Sequence, residues 1–106
     1  MKVLLIKTDT REVVEVEFNG RFVQAAWLLE CHYLEPHYLY NGDVVLVDEE
    51  GRLNAKTIVK GEMQLYDMLF VGRALITGLD SRGNMCVPKT KLEDVKKEVK
   101  FIGTMH

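Results

Sequence analysis

The sequence predicts an α+β domain, built on a mainly antiparallel, curved sheet of about six or seven strands with two helices. Three observations carry that expectation. Val3–Ile6 and Val44–Val47 are continuous apolar runs, the pattern of strands covered on both faces. Asn41-Gly42 is a strong hairpin-turn dipeptide between two strand-like stretches. Helical spacing of apolar residues stands out twice, in Phe22, Ala25, Ala26 and Leu29 and again in Leu92, Val95 and Val99.

Taken in order, Val3–Ile6 forms the first strand, and Thr8-Asp9-Thr10-Arg11 is a polar turn. Val14, Val16 and Phe18 alternate with Glu15 and Glu17, as in a half-buried strand, which completes a first hairpin. Asn19-Gly20 breaks that strand, and Asn19 is placed to cap a helix from about Arg21 to Glu30. Trp27 falls off the centre of its apolar stripe, at its edge or towards a partner. His32–Tyr40 contains Pro36, which cannot donate a ladder hydrogen bond and so belongs on an edge or at a bulge. Asp43–Asp48 is the central strand, Glu49-Glu50-Gly51 turns the chain, and Arg52–Val59 returns as a strand. Gly61–Asp67 reads as a loop with one helical turn. Ala74-Leu75-Ile76 is a further strand, Asp80–Asn84 a turn, and Met85-Cys86-Val87 the last short strand, stopped by Pro88. Thr90 and Glu93 fit a capping box for the second helix, which Gly103 ends. Two strands apolar on both faces need more cover than two helices supply. Either the sheet curls on itself or a second copy covers it, which predicts a homo-oligomer.

At 106 residues, 47% apolar and 28% charged, the chain reads as a single domain over 1–106 with one modest core. Its formal net charge of −2 lacks the basic excess of a protein that grips duplex phosphates, so no specific DNA binding is expected. Met1–Lys7 is too short for a signal peptide or a membrane span. The two cysteines, Cys31 and Cys86, form no CxxC pair and read as small buried hydrophobes, which places the chain in the cytosol.

Catalytic patterns are missing. Ser81 is the only serine, lies in a turn and has no nucleophile-elbow motif around it. Cys31 and His32 are adjacent, so on a strand they face apart. Cys31, His32 and His37 lack paired zinc-ligand spacing, His106 is a solvated terminus, and no glycine-rich phosphate loop occurs. Asp48, Glu49 and Glu50 read as solvated turn acids. The expectation is a protein that binds rather than catalyses, with no cofactor and no metal.

Three groups are candidates for binding. Tyr33, Tyr38 and Tyr40, with Trp27 nearby in sequence, place three of the four tyrosines within eight residues, and aromatic faces stack on bases or pack against partners. Asn54-Ala55-Lys56-Thr57 combines an amide, an ammonium and a hydroxyl, which together can hold a phosphate or a base edge; otherwise it is one face of an edge strand. Arg73, between Gly72 and Ala74, either offers its planar fork to a phosphate or pairs with Asp67 or a glutamate. The C-terminal lysines alternate with acids, as on a solvated helix face.

Three stretches resemble a small family of phage and conjugative-element domains: Lys2-Val3-Leu4-Leu5-Ile6, Asp48-Glu49-Glu50-Gly51-Arg52-Leu53-Asn54, and Val71-Gly72-Arg73-Ala74-Leu75-Ile76. The family's longer stretch before an Asn…Ala-Thr motif is shortened here to Asn54-Ala55-Lys56-Thr57. In size and layout the chain is also similar to the phage Thoeris anti-defence sponges. That resemblance implies sequestration of a cyclic nucleotide immune signal, without cleavage, in the host cytosol. Tyr38, Tyr40, Asn54, Lys56, Thr57 and Arg73 would then line the ligand site of an oligomer. The alternative is an inhibitor directed at a host defence protein, such as a nuclease of a CRISPR or restriction system.

Overall fold

The computed structural model describes residues 1–103 and holds an α+β domain of two antiparallel sheets and three helices. The strands are β1 (Lys2–Lys7), β2 (Glu12–Glu17), β3 (Leu34–Tyr38), β4 (Val44–Asp48), β5 (Glu62–Leu65), β6 (Met68–Val71), β7 (Ala74–Leu79), β8 (Met85–Cys86) and β9 (Val99–Gly103). The helices are α1 (Phe22–Leu29), α2 (Ala55–Ile58) and α3 (Leu92–Glu98). The larger sheet runs β2-β1-β7-β4-β3, with β8 beside β7, and the smaller runs β6-β5-β9. His106 lies outside the described residues.

The apolar runs explain the layering. Successive strand residues face opposite ways, so β1 sends Val3 and Leu5 to one side and Leu4 and Ile6 to the other. Val3, Leu5, Val44, Leu46 and Leu75 meet Ala25 and Leu29 of α1. Leu4, Ile6, Val45, Val47 and Ile76 meet Met63, Leu65 and Phe70 of the smaller sheet and Val95 of α3. Each such side chain fully removed from water contributes about 1.5–3 kcal/mol before chain entropy is subtracted. The cover that was expected from a curled sheet or a second copy comes from within the chain, so the two-faced strands do not themselves require an oligomer.

Several boundaries differ from the sequence reading, each for a local reason. Arg52–Val59 is not a returning strand: Asn54 accepts a hydrogen bond from Lys56 N at 3.1 Å and caps α2. Gly61–Asp67 is mostly β5, where buried Met63 and Leu65 alternate with half-buried Glu62 and Gln64. The capping box does not form, because Thr90 is drawn to buried Asp43, which accepts its backbone N–H at 2.7 Å and also its hydroxyl. Lys91 takes the N-cap place without a side-chain bond. Val99 opens β9 instead of closing the helix, and Gly103 ends that strand. Asn19 accepts from Arg21 N at 2.9 Å, one turn ahead of the helix, and Arg21 is the N-cap of α1. Among the described residues the count therefore rises to nine strands and three helices.

The expectations for Pro36 and for the Asn41-Gly42 turn hold. Pro36 sits on edge strand β3, opposite Leu46. Asn41-Gly42 turns β3 into β4, and Gly42 has the left-handed φ of 91° that this turn requires. Among the described residues, no helix is long and apolar enough to cross a membrane.

Candidate functional site

The end of α1 and the start of α2 border an open groove of about 600 Å³. Trp27, Glu30, His32, Asn54, Lys56 and Arg73 line it, with Cys31 at its base. Trp27 lies on the outer side of α1 and is 74% exposed, so its ring is available to a ligand. Lys56 is exposed on α2 and has no ion-pair partner among the described residues.

Arg73 is held in place from three directions. Its Nε and Nη2 donate to the two carboxylate oxygens of Asp9 at 3.1 and 2.8 Å, and Nη1 donates to Leu28 O at 3.2 Å. The ion-pair partner is thus Asp9 rather than Asp67, with Glu30 3.7 Å away. Three of the five N–H groups of a guanidinium are engaged in hydrogen bonds among the described residues. Glu30 ends α1 with a left-handed φ of 54°. Its carboxylate accepts from Lys60 Nζ at 2.8 Å, and Lys60 also donates to Lys56 O. Asp9, Glu30, Lys60 and Arg73 therefore form a charged brace beneath the groove.

This brace leaves a pH signature. The Arg73 hydrogen bond and charge hold the Asp9 carboxyl below its ordinary 3.8, and the Lys60 hydrogen bond and charge hold Glu30 below 4.5, against the opposing effect of burial. A carboxylate whose folded pKa is depressed binds fewer protons folded than unfolded. Its stabilisation is complete above the ordinary value and is lost as pH falls through the folded one. We expect the melting temperature to drop as pH falls below about 4.5. Arg73→Met should flatten that drop relative to the parent chain, as read by thermal melts from neutral to acid pH.

The remaining expected site residues divide. Asn54 reaches the groove, but its amide is shared: Nδ2 donates to Asp48 Oδ2 at 3.0 Å and Oδ1 caps α2. Thr57 is only 1% exposed, and its hydroxyl donates to Asp48 Oδ2 at 2.6 Å, so it serves the fold and not the groove. Asp48 is correspondingly no solvated turn acid. It is buried and also accepts from Glu50 N at 2.9 Å, whereas Glu49 and Glu50 are exposed. Tyr38 and Tyr40 lie elsewhere, in a groove that shares no residue with this one. Sequence reading missed His32 as a lining residue and Asp9, Glu30 and Lys60 as the brace. Asp9 and Arg73 are 64 residues apart, and no local pattern joins them.

Cys31 has little nucleophilic character. Burial, and then the charge of Asp48, push its thiol up to about 11, so it is protonated at neutral pH. Among the described residues, no group of three or more His, Cys, Asp or Glu side chains could hold a metal ion.

Fold and site together define a two-sheet α+β domain with an open, braced groove carrying one unpaired lysine and one exposed indole. The chain belongs to the family described as a domain of unknown function, DUF3846, whose model matches residues 1–100. No curated protein and no solved structure matches it.

Proposed function

We propose that this domain is a phage or mobile-element anti-defence protein that binds a cyclic nucleotide immune signal in the Trp27–Arg73 groove and sequesters it without cleaving it. The observation that carries this reading is the convergence of Trp27, Lys56 and Arg73 on one groove. Indole faces stack on bases for about 1–3 kcal/mol per base. The ammonium of Lys56 meets a phosphate as a point charge, and the guanidinium of Arg73 adds a second cation. Asn54 and His32 supply polar edges for the base or sugar. The protonated thiol of Cys31 suits retention of an intact ligand. Tyr38, Tyr40 and Thr57 are not part of the proposed site.

Isothermal titration against a panel of cyclic nucleotides and cyclic ADP-ribose isomers tests the proposal. The expected result is saturable binding with the ligand recovered unchanged after heat denaturation. Lys56→Ala and Trp27→Ala should each weaken it about tenfold with an unaltered melting temperature, because both side chains are exposed. Turnover beyond one equivalent, or silence across the whole panel, would sink it.

A second reading rests on the outer side of α1, where Phe22, Val23 and Trp27 are all exposed. Such a patch suits a protein partner, either a host defence protein or a second copy of this chain. Size-exclusion chromatography of Val23→Asp against the parent chain separates it: an unchanged elution position of the pure protein and no co-elution with a host nuclease would remove this alternative.

A further inference from the structure

We infer that the groove between the β3–β4 turn and the β5–β6 turn is a second binding site, which takes a small organic cation with an alkylated ammonium head. Tyr38, Tyr40 and Tyr66 reach it from the two hairpin ends, together with Leu39, Met68 and Asp67. Its volume of about 420 Å³ is that of a small-molecule cleft.

The first support is backbone strain. Leu65 pairs with Met68, so Tyr66 and Asp67 alone make the turn between β5 and β6. Two-residue hairpin turns need left-handed backbone, which glycine and asparagine adopt readily. Tyr66 adopts it with φ 54°, although a bulky residue there costs about 1–3 kcal/mol. Tyr66 remains 37% exposed, so part of its ring is open to the groove. Among the described residues no hydrogen bond involves its hydroxyl; its backbone carbonyl alone accepts, from Gln64 Nε2 at 3.2 Å.

The second support is charge. No lysine or arginine lines the groove. The neighbouring Lys89 stands at the rim, where its Nζ donates to the carbonyl of Asn41, a lining residue, at 3.2 Å. Asp67 lines the groove directly. Burial, then the charges of Glu98, Asp94 and Asp43, raise the Tyr66 hydroxyl above its ordinary value, so it stays protonated and neutral at neutral pH. An ammonium gains from the tyrosine faces and the Asp67 carboxylate, while its alkyl groups rest on Leu39 and Met68.

Choline is the probe, paired with its neutral isostere in which carbon replaces the quaternary nitrogen. Titration calorimetry is expected to show saturable choline binding, with the isostere at least about fivefold weaker, the ratio a cation–π attraction of this kind gives. Tyr66→Asn should abolish binding while holding or raising the melting temperature, because asparagine suits the turn better. Asp67→Asn should weaken binding severalfold. Equal binding of the isostere would overturn the proposal, as would no saturable choline heat. So would a Tyr66→Asn chain that melts lower yet still binds, because that is the signature of a purely structural tyrosine.

Discussion

Gly72→Ala is expected to destabilise the domain by about 2–4 kcal/mol, the sum of a backbone and a steric effect. Gly72 joins β6 to β7 with φ 85°, a region that alanine enters only at a cost. A Cβ built there would also collide with Thr57 Cγ2 and approach Thr57 Cβ to 3.4 Å. Thr57 cannot swing away, because its hydroxyl is fixed on Asp48 in the buried interior. The two effects can be separated. Thr57→Ser deletes the offending methyl and keeps the hydroxyl. In that background Gly72→Ala should cost only about 1 kcal/mol, the part due to the left-handed backbone. Urea denaturation of the four chains gives the coupling directly. Equal costs in both backgrounds would show that the collision is relieved by movement elsewhere.

Asp48→Ala should be comparably damaging, by about 3 kcal/mol or more, because it strips partners from several groups at once. Thr57 Oγ1, Asn54 Nδ2 and Glu50 N all donate to this one carboxylate. The Thr57 hydroxyl is buried and would be left without a partner. Asp48→Asn keeps the volume and one acceptor oxygen, so it should fall between the alanine variant and the parent chain. The effect reaches the groove as well, since the same carboxylate fixes the residue that caps α2 and thereby the position of Lys56. Affinity for the proposed nucleotide ligand should therefore fall in Asp48→Asn by more than its small loss of folded population explains. Affinity unchanged in a folded Asp48→Asn chain would show that Lys56 needs no such support.

Local chemistry made a good part of this structure readable. The apolar runs of β1 and β4 announced strands buried on both faces, because period-two side chains must all find cover. Asn41-Gly42 announced its hairpin through backbone freedom, and Pro36 announced an edge through its missing donor. The apolar stripe of α1 placed that helix to within a residue at each end. Lys56 and Arg73 stood out as candidate cations and do share a groove.

What tertiary structure decided lies in pairs distant along the chain. Asp43 takes the Thr90 amide and hydroxyl that a local capping box would have used, since a buried carboxylate demands donors more strongly than a helix end does. Asp48 reaches Asn54 and Thr57, and so turns an expected strand into α2. β5 is short and β9 follows a helix, so neither shows until it has the other as a neighbour, and only together with β6 do they supply the second cover of the core. Arg73 is committed to Asp9 instead of being free, and the tyrosines close to each other in sequence stand apart from the lysine they were expected to join. A sequence states which groups need partners, through burial, charge and backbone freedom. Which partner each group finds depends on distances that exist only once the sheets have packed.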